Sequence, residues 1–175
     1  MNRILLIFGV LLLIYSCKST RTEHKSKTLK EFVNLYAFIG EKISLTEFDP
    51  NKNNTKMEVD SITGDTILYH NISIDYAFKA KYKVLEKVYN KFKSDTIEFL
   101  VYDHYGRPKF ENYEVVILYL SKDKNTNEYY HQKYQFDPIT IDLDNGDWIG
   151  FEGESIKELF ERKKNGVLKA RGIFD

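Results

Sequence analysis

The stretch YAFKAKYKVLEKVY, residues 76–89, decides the fold class of this chain. Its apolar and basic side chains alternate, with Phe78, Ala80, Tyr82 and Val84 on one parity and Lys79, Lys81 and Lys83 on the other. A repeat of two residues is typical of an antiparallel β-strand with one face in the core and one in water. The lysine face could contact phosphate or an acidic polymer, but we favour the simpler interpretation that it solvates the sheet.

Similar patterns lie on both sides of this stretch. Thirteen tyrosines and twelve phenylalanines favour β structure. Alternating or β-branched runs predict strands at 35–48, 96–102, 113–120 and 129–136, with a weaker strand or hairpin at 66–74 and a short extended piece at 139–143. Asn, Asp, Lys and Gly dominate residues 49–65, which predicts a long loop there.

The C-terminal part predicts one helix. In ESIKELFERKK, residues 154–164, the apolar stripe consists of Ile156, Leu159 and Phe160, with acidic residues first and basic residues last. The tail 167–175 predicts a short strand. We therefore expect a mainly β (α+β) domain, a five- to six-stranded antiparallel barrel or curved sheet with a C-terminal helix.

The N-terminus reads MNRILLIFGVLLLIYSC, with Arg3 ahead of an apolar run at residues 4–14. Such a run has the length of a secretory signal core and is too short to span a bilayer. Its ending, Ile14-Tyr15-Ser16-Cys17, resembles a bacterial lipobox. The resemblance implies a lipoprotein signal peptide at 1–16, cleavage before Cys17, and acylation of that cysteine. An uncleaved anchor, or a signal peptide cut elsewhere, stays open as an alternative.

Polar, basic sequence follows the cysteine. Residues 17–30 have no apolar period, so we expect a flexible, lipid-anchored tether, followed by a single β-rich domain at 31–175. The tether could attract anionic headgroups or serve only as a spacer. Surface-exported lipoproteins of some Gram-negative groups resemble one another in the acidic residues after their cysteine. Lys18 to Arg21 lack such acids, which favours a periplasm-facing position in the cell envelope.

Charge and cysteine usage exclude several functions. Lys and Arg together number 26, as do Asp and Glu, so no overall field directs the chain to nucleic acid. The sole cysteine permits no internal disulfide. Neither a Gly-x-Ser-x-Gly nucleophile motif nor a phosphate-binding glycine loop is present. We expect no cofactor, while the oligomeric state stays open.

Three residues are candidates for a metal or acid–base site, because Asp103 and His104 end one predicted strand and His131 lies on a nearby hairpin. No His-x-x-x-His pair strengthens this hypothesis, and surface positions are the simpler interpretation. The acidic run 142–147 (DLDNGD) invites a calcium interpretation. Its glycine and the twelfth position, Gly153, do not fit the EF-hand template, so a plain turn is favoured.

Aromatic residues in or beside loops are the other candidate surface. If clustered, they could stack on sugars or receive a peptide, and if scattered they fill a β core; the set is Tyr102, Tyr105, Phe110, Tyr113, Tyr129 and Trp148. We expect a non-catalytic binding or interaction module that meets an envelope protein or polymer. The alternative is an envelope hydrolase or metal-dependent enzyme that uses Asp103, His104 and His131.

The order of YAFIGEKISL, the strand ending in Val88-Tyr89, the strand at 96–102 and YEVVILYL resembles netrin-like domains. This resemblance implies a five-stranded OB-type barrel over roughly residues 35–121. The framework cysteines of that family are absent, and an acylated Cys17 could not offer the free amine that its inhibitory members place on zinc. The resemblance thus implies a fold and no functional residue. The whole chain also resembles small lipoproteins of Bacteroidetes-type bacteria.

Overall fold

The computed structural model describes residues 32–52, 55–70 and 72–175. The expected signal peptide, Cys17 and tether lie outside the described residues. Residues 33–175 form one compact unit. Its strands are β1 (Tyr36–Phe48), β2 (Thr55–Val59), β3 (Thr66–His70), β4 (Tyr76–Tyr89), β5 (Thr96–Asp103), β6 (Val115–Lys122), β7 (Tyr129–Ile141) and β8 (Trp148–Gly150), and its α-helix is α1 (Ile156–Lys163).

Six strands form one sheet that curls into a ring. Their order is β5-β4-β1-β6-β7-β8, and neighbours in this order run antiparallel. β5 also meets β7 in parallel, at Leu100 opposite Tyr130, so five strands close on themselves. The expected mainly β fold, a curved sheet or barrel with a C-terminal helix, is confirmed.

The predicted alternation at residues 76–89 is confirmed in β4. Phe78, Ala80 and Tyr82 are fully buried. On the opposite parity, Lys81 Nζ lies 3.0 Å from Glu98, and Lys83 Nζ lies 3.5 Å from Glu41. These lysines form ion pairs on the solvated side of the sheet, in line with the simpler interpretation.

The sheet separates two hydrophobic clusters, and β1 contributes to both. Phe38 joins the cluster inside the ring, whereas Ile39 joins the outer cluster, against which α1 places Leu159 and Phe160. Between the two clusters, a Cβ on Gly40 would lie 2.6 Å from the Phe38 ring. Glycine is therefore needed there, because the strand backbone passes directly over an aromatic side chain.

Helix α1 begins as its sequence predicts. The Ser155 side chain accepts a hydrogen bond from the Glu158 amide, and the Glu158 carboxylate accepts one from the Ser155 amide. This capping box satisfies two amides that a helix leaves unpaired. The tail 167–175, predicted as a short strand, forms none: a wide helical turn at Lys164–Leu168 follows α1 and buries Leu168, and residues 171–175 have no helix or strand. Among the described residues, no helix is long and apolar enough to cross a membrane.

The predicted loop at 49–65 is wrong in part, because β2 lies within it and pairs with β3. This hairpin forms a sheet of its own. β2 was missed because its short alternation, TKMEV, lies within a polar stretch, and none of its residues is buried. β7 also differs from the prediction. It runs on to Ile141, and an irregularity in its register places Tyr134 at a φ of 66° with its side chain exposed.

Three hairpin turns share one design. In each, an aspartate amide donates to the carbonyl five residues later: Asp60 to Asp65, Asp123 to Glu128, and Asp142 to Asp147. The fifth residue of each turn has a positive φ, which glycine and asparagine tolerate, and these residues are Gly64, Asn127 and Gly146. The turn predicted at 142–147 is thus confirmed.

Candidate functional site

Helix α1 covers only part of the outer face of the sheet. The remainder carries an open groove of about 560 Å³. Leu85, Val115 and Trp148, which flank the outer cluster, line this groove, as do the rings of Tyr113 and Phe151. We call it the aromatic groove. Concave, mostly apolar surfaces of this size are where proteins usually bind small ligands or peptide segments.

The hairpin between β7 and β8 positions two of its aromatic residues. The turn at 142–147 brings Trp148 opposite Ile141, at the outer strand of the sheet. Beyond β8 the chain turns tightly, with the Gly153 amide donating to the Gly150 carbonyl at 3.0 Å and Gly153 at a φ of 86°. This turn leaves Phe151 63% exposed.

Tyr113 comes from the opposite side of the groove. It follows a 3₁₀ turn at Lys109–Asn112, and its amide donates to the Phe110 carbonyl at 3.2 Å. Arg107 stabilises this turn through two hydrogen bonds to the Glu111 carboxylate, 2.6 and 2.7 Å long, which lower the pKa of Glu111. The Tyr113 ring then lies 6.1 Å from that of Phe151, between centroids.

The groove has an acidic edge. Glu41 and Glu114 line it, and none of its lining residues is basic. Glu41 lies 3.5 Å from Lys83, whereas Glu114 forms no ion pair with any residue that the structure describes. The turn that contributes Leu143 to the groove carries three further carboxylates, those of Asp142, Asp144 and Asp147.

The predicted aromatic set divides into core and surface. Phe110 is 1% exposed, Tyr129 packs against Tyr36 and Phe92, and Tyr102 packs against Phe48. Tyr105 is 83% exposed and lies beside Tyr134, outside the aromatic groove.

Only Tyr113 and Trp148 of the predicted set line the groove together. Sequence reasoning missed Phe151. The sequence feature that could have identified it is the pair Gly150 and Gly153 around an aromatic residue, because this spacing favours a tight turn that leaves the side chain pointing outward.

The three candidate catalytic residues have different partners. Asp103 is buried and accepts a hydrogen bond from the Tyr105 amide, 2.9 Å away. His104 is on the surface, with Nδ1 3.3 Å from Asp75. The ring of His131 is in the core, with Nε2 2.7 Å from the Gln135 carbonyl oxygen.

His131 is held in its neutral form. Burial lowers its pKa to about 4, and its ring centroid lies 4.9 Å from that of Phe110. Over residues 32–52, 55–70 and 72–175, no three histidine, cysteine, aspartate or glutamate side chains group so as to hold a metal ion. Catalysis by Asp103, His104 and His131 stays a prediction.

Comparison with known protein families, with curated proteins and with solved structures finds no match for this chain.

Proposed function

We propose that this chain is a lipid-anchored binding module of a bacterial cell envelope, which holds an envelope protein or polymer in the aromatic groove. The observation that carries the proposal is the groove itself. Tyr113, Trp148 and Phe151 converge there on a part of the sheet that α1 leaves open. Aromatic side chains supply large contact areas at low entropic cost, which is why they dominate binding surfaces.

The anchoring part of the proposal rests on the sequence. The lipobox-like Ile14-Tyr15-Ser16-Cys17 ends the apolar run at 4–14, and the sole cysteine of the chain falls at its required position. Two or three acyl chains on one residue would anchor firmly, since each buried methylene contributes about 0.8 kcal/mol. We propose that the domain faces the periplasm, because Lys18 to Arg21, directly after Cys17, include no acidic residue.

We also propose that the ring is an OB-type barrel. Five strands in the cyclic order β1-β4-β5-β7-β6, with one parallel contact, support that assignment. The 3₁₀ turn between β5 and β6 supports it further by placing Phe110 inside the ring. Such barrels serve many functions, so the binding proposal rests on the groove and not on the fold.

Photo-crosslinking of the full chain in cells tests the groove. A benzoylphenylalanine at position 151 should give a discrete adduct that the additional substitution Trp148→Ala weakens severalfold. The matched control carries the same probe at Tyr105, which is more exposed but lies outside the groove. The same adducts from both positions, or an adduct at position 151 whose yield does not change with Trp148→Ala, would contradict the proposal.

Intact-mass measurement of the membrane-extracted protein tests the anchor, with wild type beside Cys17→Ala. We expect a mature chain that begins at Cys17 and carries two or three acyl chains, both features being lost in the variant. An unlipidated mature chain in the soluble fraction would overturn the lipoprotein assignment and leave the groove proposal to its own test.

A further inference from the structure

We infer that the aromatic groove binds an arginine side chain within an otherwise apolar segment of a partner protein. This inference rests on the proposed function and specifies its ligand. It follows from the combination of aromatic side chains with an acidic edge in one groove. The apolar part of the groove would contact the apolar side chains that flank the arginine in the partner, and the acidic edge would bind the guanidinium group.

Charge is the first argument. Glu41 and Glu114 line the groove without a basic residue among the lining set. The nearby lysines are already engaged, since Lys83 faces Glu41 at 3.5 Å and Lys42 donates to the Glu111 carbonyl at 3.0 Å. The carboxylate of Glu114 is the available one, because within the described part of the chain it has neither an ion pair nor a hydrogen bond. A cationic ligand would complement this edge.

The arrangement of the Tyr113 and Phe151 rings favours arginine over lysine as the ligand. The Tyr113 and Phe151 rings lie 6.1 Å apart and are inclined by 44°, so they form an open angle rather than a closed stack. A planar guanidinium stacks on aromatic faces while its N–H groups bind a carboxylate in the plane. A lysine ammonium lacks that planar face and is more strongly hydrated.

Trp148 makes the inference directly measurable, because it is the only tryptophan of the chain and it lines the groove. The full chain in detergent would be titrated with acetyl-Leu-Arg-Leu-amide, with tryptophan fluorescence as the signal. The control peptide carries citrulline, which keeps the shape of arginine without its charge. We expect saturable binding of the arginine peptide, about tenfold tighter than that of the citrulline peptide.

Two variants locate the charge. Glu114→Gln should weaken the arginine peptide severalfold and leave the citrulline peptide unchanged. Glu58→Gln is the matched control, an exposed carboxylate on β2 outside the groove. Raising the salt concentration should weaken only the arginine peptide, since exposed charge pairs are screened.

The outcomes separate this inference from the proposed function. Equal binding of the two peptides, or binding insensitive to Glu114→Gln, overturns the arginine assignment and leaves a groove that binds apolar segments. If neither peptide binds but position 151 still crosslinks as described, the ligand belongs to another class and the arginine assignment falls alone. If neither peptide binds and no groove-dependent adduct forms, both fall.

Discussion

The Tyr119 hydroxyl donates a 2.7 Å hydrogen bond to Asp137 Oδ2, joining β6 to β7 beneath α1. Both side chains are buried, and Lys163 of α1 lies 3.5 Å from the other carboxylate oxygen. Burial and the neighbouring carboxylate raise the pKa of Tyr119, so the phenol stays protonated and able to donate. This cluster links the helix to the sheet by polar contacts within the outer hydrophobic cluster.

Tyr119→Phe should therefore destabilise the domain by about 1–3 kcal/mol, because the buried Asp137 carboxylate loses its only phenolic donor. Urea unfolding measures the change, with the slope of the transition expected to stay constant. An unchanged midpoint would show that Arg162 and Lys163, which lie near Asp137, already suffice to stabilise its charge.

Tyr82→Phe should have the opposite effect. Tyr82 is also fully buried, but its hydroxyl has no hydrogen-bond partner among the described residues. Removing an unpaired buried hydroxyl should increase the free energy of unfolding, by about 1 kcal/mol. A loss of stability, measured beside Tyr119→Phe under the same conditions, would indicate that a buried water pairs with that hydroxyl.

His131 should make stability fall as the pH is lowered from about 6.5 to about 4. The unfolded chain binds a proton near the ordinary histidine pKa of 6.5, whereas burial delays protonation in the folded state until about pH 4. Arg171 and Lys163 face the ring and lower its pKa further, while its bond to the Gln135 carbonyl raises it. The full loss amounts to roughly 3 kcal/mol.

Unfolding of wild type and His131→Gln across this pH range checks the prediction. Glutamine can still donate to the Gln135 carbonyl but does not titrate, so the slope between pH 6.5 and 4.5 should flatten. The same slope in both proteins would mean that another group titrates. Carboxylates with lowered pKa values, such as Asp75 and Glu111, also lose their stabilising effect toward the acid end of this range, but they do so equally in both proteins.

Asn90 should tolerate glycine better than alanine. It has a φ of 53°, and its side-chain amide donates to the carbonyls of Val33 and Leu35 at 3.0 and 2.6 Å, tying the end of β4 to the start of β1. Asn90→Ala loses both bonds and keeps the strain of a left-handed residue, for a cost of about 2–4 kcal/mol. Asn90→Gly loses only the bonds.

The control is Asn127→Ala, where φ is 65° but the side chain makes no hydrogen bond to another described residue. It should cost about 1–2 kcal/mol, the strain alone. Thermal unfolding of the three variants should thus rank Asn90→Ala as the least stable. Equal losses for Asn90→Ala and Asn127→Ala would contradict a bridging role for the Asn90 side chain.

Sequence reasoning succeeded where one periodicity dominated a segment. The alternation in β4 and the apolar run of β6 both follow from which faces are buried, so their patterns carried the information. It failed at β2, whose five residues are all exposed and whose short alternation lies within a polar stretch. It also did not predict the irregular register between β6 and β7 that leaves Tyr134 exposed, because such an irregularity depends on how two strands pair and not on the period of either one.

The groove was only half predictable for a similar reason. Tyr113 and Trp148 could be predicted as aromatic residues beside loops. However, 34 residues lie between them, so no local sequence pattern shows that they meet. Their convergence depends on β7 lying between β6 and β8. The acidic edge could not be predicted either. Glu41 lies on β1 and Glu114 directly precedes β6, so the two residues meet only because β1 pairs with β6.

The closure of the ring at Leu100 and Tyr130 has a kinetic consequence. A single bridge joins β5 to β7, whereas β5 pairs with β4 at eight positions, so we expect the β5–β7 junction to open before the other strand pairs separate. Such opening would give water access to the inner cluster, to which Phe99 and Val101 of β5 belong. Amide hydrogen exchange faster at the Leu100–Tyr130 pair than along β1 and β4 would record that opening.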